Sequence, residues 1–202
     1  MVHPPNMEIE KTFQQYLSDI RKIDLSAAGE MLGLEKEPNG YFIRFFTTQF
    51  AIRPDGFFTA ANKKPPHDIC IVLCKYLLRC PKTAPADKTL VSFRDFKDSG
   101  PLAAYFSSDV ENLICREFED RFKALQNACR RIGGAPADVE ADYDLIMRFN
   151  ALPKLPMILL FNDRDEEFPP RATVLYERRA EVYLDAECLA ILGNLLYQSI
   201  KR

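Results

Sequence analysis

The sequence predicts an α+β fold in which small antiparallel sheets are flanked by an N-terminal, a long central and a C-terminal helix. Helical periodicity comes first and last, with groups of strand-like segments between. Tight-turn chemistry at Asn39-Gly40 and Pro54-Asp55-Gly56 joins adjacent aromatic and β-branched runs, the signature of antiparallel neighbours. No βαβ unit recurs, which argues against a doubly wound parallel sheet. With 202 residues, 47% of them hydrophobic, the chain can bury a core as one domain over 1–202, with residues 1–6 as a loose tail.

Asn6 is placed to cap a first helix, with Glu8 and Glu10 near the positive end of its dipole. Ile9, Phe13, Tyr16, Leu17 and Ile20 form its apolar stripe, and a shorter helix follows Ser26 and stops at Gly33. Tyr41 to Thr47, Gln49 to Arg53 and Phe57 to Thr59 read as a small antiparallel meander. The apolar run DICIVLCKYLLRC, with Asp68 as cap and Pro81 as stop, suits a buried helix better than a buried strand, given its length and composition. Leu90 to Phe93 reads as a short strand and Lys97 to Pro101 as a loop. Ser108-Asp109-Val110-Glu111 has the form of a capping box. From it, Val110, Leu113, Ile114, Phe118, Phe122, Leu125, Cys129 and Ile132 hold helical spacing up to Gly133-Gly134. Tyr143 to Asn150, Pro156 to Asn162 and Ala172 to Tyr176 are three further strands. Asp185 caps a last helix whose apolar face includes Cys188, Ile191, Leu192, Leu195 and Ile200.

A formal net charge of −2 and dispersed basic residues argue against nucleic acid and against an anionic membrane surface. The start MVHPPNMEIEKT lacks a basic stretch followed by an apolar one, so no secretory signal is expected. The most apolar run, from Ile69 to Leu78, is shorter than the ~20 residues a bilayer requires. A cytoplasmic location is the expectation, and the six cysteines are read as reduced core thiols, Cys80 being the one nearest solvent.

The densest cluster of chemistry is Asp163-Arg164-Asp165-Glu166-Glu167, four carboxylates at the end of an apolar strand, followed by Phe168-Pro169-Pro170. Hard cations take several oxygen ligands, so Asp163, Asp165 and Glu167 are candidate metal ligands. A basic partner would suit the turn as well. The alternative is a solvated turn in which Arg164 pairs locally. Ser92-Phe93-Arg94-Asp95-Phe96 is a second candidate, either lining a ligand cleft or fastening a loop through an Arg94–Asp95 pair. Cys70 and Cys74 share a helical face, but no Cys-x-x-Cys occurs, which disfavours zinc and iron–sulfur ligation. There are two histidines, His3 and His67, and neither sits in a nucleophile motif; phosphate-cradling glycine loops are absent.

The blocks LCKYLLRC, VSFRDF, MRFNALPKLPMILLF, DEEFPPRATVLY and YLDAECLAILGNLL resemble the family called domain of unknown function 3786, found mainly in anaerobes. The resemblance runs from about the first helix to the C-terminus, and departs from the family pattern at Lys75, where relatives tend to carry histidine. Some members are fused to iron–sulfur domains of the kind seen in corrinoid one-carbon enzymes. The resemblance therefore implies an accessory role near metal or tetrapyrrole cofactors, without naming the cofactor. The leading expectation is a non-catalytic module that binds a cofactor or a partner protein in a cleft near the acidic turn. Asp165, Glu166 and Glu167 would supply charge, Phe168 and Pro169 a rigid apolar edge, and Arg94, beside Asp95, a counter-charge for an anionic group. Two other classes stay open: a divalent-metal enzyme using Asp163, Asp165 and Glu167, and a structural subunit of a larger complex.

Overall fold

Alternating aromatic and β-branched residues between Gly-containing turns can bury one face only by pairing with one another, and they do so in two antiparallel sheets. The computed structural model describes residues 7–202, with side chains from residue 10 onward. Asn6 as first cap, the contributions of Glu8 and Ile9, His3 and the tail 1–6 lie outside the described residues. Helix α1 (Met7–Ile20) buries Phe13, Leu17 and Ile20 as its stripe requires. Helix α2 (Leu25–Leu32) is capped by Asp24, two residues before the expected Ser26 start. The Asp24 carboxylate accepts from the Ser26 and Ala27 N–H groups at 2.9 and 3.3 Å. Gly33 closes α2 with φ +66, a conformation open to glycine at little cost.

Strands β1 (Glu35–Glu37), β2 (Gly40–Phe45), β3 (Thr48–Arg53) and β4 (Gly56–Phe58) form the meander in sequential order. The buried run becomes helix α3 (His67–Leu78), which starts after Pro66; Asp68 falls in its first turn and is not the cap. The second sheet comprises β5 (Leu90–Ser92), β6 (Ala135–Pro136), β7 (Leu145–Leu152), β8 (Leu155–Asn162) and β9 (Arg171–Glu177), in the spatial order β5-β9-β8-β7-β6. Leu155 through Phe161 are all buried, which explains why β8 reads as continuous hydrophobicity without alternation. The meander docks on this sheet through Phe46, whose N–H donates to Ala151 O at 3.0 Å and whose ring meets Phe149 edge-on.

The central helix is segmented. Helix α4 (Gly100–Phe106) begins within the stretch expected to be a loop and runs into a π turn (Ser107–Glu111), then α5 (Asn112–Phe118). Ser108 therefore opens nothing: Ser107 is already helical at φ −63, ψ −46, and the Ser108 hydroxyl donates back to Tyr105 O at 3.2 Å. The expected capping box at Ser108–Glu111 is absent. A break at Glu119–Arg121, with Asp120 at φ +58, separates α5 from α6 (Phe122–Arg131).

After a short α7 (Ala180–Tyr183), the last helix, α8 (Ala186–Lys201), starts at Asp185 as expected, the carboxylate accepting the Cys188 N–H at 3.0 Å. It packs against α3, α4, α5 and α6, and Tyr176 of β9 donates to Leu189 O at 2.9 Å. One cluster of buried apolar side chains includes residues from both sheets and these helices. The α+β class is thus confirmed.

Candidate functional site

The acidic turn follows β8 and is tied down by its own backbone. Asp163 accepts the Asp120 and Arg164 N–H groups, both at 2.9 Å, so it anchors the break between α5 and α6. Its own N–H donates to Asp144 at 2.9 Å. Arg164 reaches Glu119 and Asp120, each at 3.5 Å. Asp165 accepts the Glu167 and Phe168 N–H groups at 2.8 and 2.7 Å, and these bonds, the Phe168 one foremost, hold its carboxyl below the usual range. Asp165, Glu166 and Glu167 are exposed, and so is Phe168, at 66%. Together with Glu119 and Pro169 they rim a shallow hollow of about 310 Å³. Asp163, Asp165 and Glu167 are not brought together: among the described residues no group of three or more His, Cys, Asp or Glu side chains is arranged to hold a metal ion. Backbone amides, of the loop itself and, for Asp163, also of Asp120, account for its two aspartates.

Asp95 also has a structural task. It accepts the Ser92 N–H at 2.9 Å and the Ser92 hydroxyl at 2.6 Å, closing a capping box on the 3-10 turn Phe93–Asp95. The hydroxyl bond is the main cause of its lowered pKa. Arg94, its neighbour, does not pair with it and does not face the acidic turn. It lines a separate cavity of about 450 Å³ with Phe106, Ser107, Glu111, Arg171 and Thr173.

The topology creates that cavity. Strand β5 pairs with β9 only from Leu175 to Glu177, so Arg171 to Val174 form an open edge on that side. The π turn lies across this edge, and Glu111 accepts the Val174 N–H at 3.0 Å. That bond satisfies a strand donor left without a partner where β5 ends. Burial pushes the Glu111 carboxyl up; the Val174 N–H and the charges of Arg94 and Arg171 offset this only in part. No ion pair within 4.0 Å joins Glu111 to either arginine, and among the described residues neither guanidinium has a hydrogen-bond or ion-pair partner.

Sequence reading picked out Arg94 but missed Glu111 and Arg171. Glu111 carried a signal: with Cys115 and Phe118 it occupies positions i, i+4 and i+7, which places a carboxylate on a buried helical face.

The family model described as Domain of unknown function (DUF3786) matches residues 24–199. The chain belongs to this family. No curated protein and no solved structure matches it. The DUF3786 match extends from just before α2 to near the end of α8, so it spans both sheets, the acidic turn and the Arg94–Glu111–Arg171 cavity.

In this DUF3786 chain Lys75 lies beside a cavity of about 470 Å³ between α1, α3 and α8. Its ammonium pairs with Asp185 at 3.1 Å and sits 5.2 Å from the Tyr16 ring centre. Burial opposes the charge on Lys75, but the Asp185 and Tyr16 contacts outweigh it and raise the pKa, so the amine stays protonated. This is an ion pair fastening α3 to the start of α8. His67 meets Phe13 edge-on at 5.6 Å. All six cysteines are free and five are buried. Burial raises Cys70 to about 11 and both Cys74 and Cys129 to about 12, which leaves these thiols unreactive. No helix among the described residues is long and apolar enough to cross a membrane.

Proposed function

We propose that this chain is a non-catalytic cytoplasmic binding module, one α+β unit over 1–202, that takes a small anionic cofactor or ligand between Arg94 and Arg171. The two unpartnered guanidiniums on one recess carry the reading. Guanidinium is a planar fork matched to carboxylate and phosphate oxygens, and two of them on one recess can hold an anion from two sides. The Ser107 and Thr173 hydroxyls add uncharged donors. The fusions seen among relatives support an accessory place beside corrinoid or iron–sulfur one-carbon enzymes.

Thermal melting of the full chain in phosphate, pyrophosphate, acetate, succinate and hydroxocobalamin, at matched ionic strength, tests this. A probe at ~100 times its dissociation constant adds about 2.7 kcal/mol, or about 5–11 °C in Tm for a chain of this size. Arg94→Ala and Arg171→Ala are expected to remove the shift. A shift that survives the double variant, or no shift beyond that of chloride, overturns the proposal.

A further inference from the structure

The arrangement of charge in the recess says more about its ligand than that it is anionic, and this step rests on the reading above. Glu111 is half-buried, and one of its oxygens is committed to the Val174 N–H. Among the described residues the other has no protein donor, and no cation lies within 4.0 Å, although two arginines line the same cavity. Opposite charges that share a recess without touching are kept apart by the space between them. A ligand of one sign leaves either the Glu111 oxygen or the two arginines unmatched. A simple anion placed between the guanidiniums also meets the Glu111 carboxylate, and a simple cation meets two arginines.

We infer that the recess binds a zwitterion of the amino-acid class, its carboxylate held by Arg94 and Arg171 and its ammonium by the free oxygen of Glu111. Such a ligand offers each of the three side chains a group of opposite sign. The rings of Phe93 and Phe106, stacked at 4.4 Å and almost fully buried, back the same recess with apolar surface. Glu111 is the last residue of the π turn, a distortion frequent at functional sites, and from there it reaches Val174 of β9. The half-buried state of Glu111 fits as well, because a carboxylate awaiting an ammonium is poorly solvated until the ligand arrives.

Isothermal titration of the full chain with the standard amino acids identifies the tightest binder. That compound is then compared with its deaminated and decarboxylated analogues at the same pH and ionic strength. The amino acid is expected to bind more than about tenfold tighter than either analogue, the scale of one charged hydrogen bond. Glu111→Gln, which keeps an acceptor for the Val174 N–H, is expected to abolish the advantage over the deaminated acid while leaving acid binding in place. Arg171→Gln is expected to weaken the amino acid and the acid alike. A deaminated acid that binds as tightly as its parent overturns the zwitterion inference and leaves the anion reading standing. If no amino acid binds while phosphate or acetate does, the outcome is the same. If neither kind of probe binds, both readings fail.

Discussion

Replacing Gly193 with alanine tests the packing that backs the recess. A Cβ at this position falls 2.3 Å from Phe106 Cε2, 2.7 Å from its Cζ and 3.1 Å from the Tyr176 hydroxyl, whereas ordinary contact begins at 3.4 Å. Phe106 cannot swing aside freely. It stacks on Phe93 with ring planes 8° apart, and it packs against Tyr176, whose hydroxyl is held by Leu189 O. An intrusion of more than an ångström on a locked ring belongs at the upper end of overpacking, about 3 kcal/mol. Alanine in a helix interior regains about 1 kcal/mol relative to glycine, which leaves a net loss of about 2 kcal/mol. For a chain of this size that is a fall of about 4–8 °C in Tm. Gly100→Ala is the control, since nothing lies within 4 Å of its added Cβ. Scanning calorimetry of both variants is the assay, with anion binding as a second readout because Phe106 lines the cavity. If Gly193→Ala melts at or above the parent, the close approach of α8 to Phe106 is refuted.

Three further outcomes are expected. Tyr76→Phe removes a fully buried hydroxyl that donates to Leu32 O at 2.8 Å and accepts the Lys154 N–H at 3.1 Å. It should cost about 1–3 kcal/mol in urea titration, and an unchanged midpoint would count against both bonds. The pH dependence of stability should have opposite signs at two carboxyls. Glu111 has a raised pKa, so its contribution is most favourable below 4.5 and is lost as pH rises through the folded value; Glu111→Gln therefore gains relative stability between acid and neutral pH. At Asp185 burial pushes the pKa up, but the Cys188 N–H and Lys75 outweigh it. Its stabilisation is present above 3.8 and lost as pH falls, so Asp185→Asn should lose stability at neutral pH and converge with the parent in acid. Parallel pH curves for parent and variants would contradict both assignments. Finally, a thiol reagent applied to the native chain should label Cys80 first, the others being buried; peptide mapping that finds Cys129 or Cys188 labelled earlier would contradict the packing of α6 and α8.

What could be read in advance is what local chemistry decides. Asn39-Gly40, Pro54-Asp55-Gly56 and Asp185 act through their immediate neighbours, and each ends or begins its element as expected. The segmentation of the central helix was hidden for two reasons. Val110, Ile114 and Phe118 keep their spacing through the edge of a π turn, so periodicity does not register the extra residue. The break at Asp120 is stabilised by Asp163, 43 positions away, and no local rule reports that bond. Gly100-Pro101 read as a loop, yet proline in the first turn of a helix is well tolerated, and α4 starts there. The residues proposed to bind ligand divide in the same way. Arg94 stood out as a charge in a break between elements, whereas Glu111 and Arg171 belong to distant segments that meet only because β5 is short. The acidic turn attracted notice through charge density, but Asp163 and Asp165 answer backbone amides.

The brevity of β5 has a consequence for solubility. A strand flank without a neighbouring strand, such as Arg171 to Val174, would be a template on which a second chain can zip were it not covered, here by the π turn and α5. Glu111 covers one amide and Arg171 sets a cation at the rim, so the groups assigned to ligand recognition also guard against self-association. Lengthening β5 toward Arg171 would heal the flank and fill the recess in one stroke.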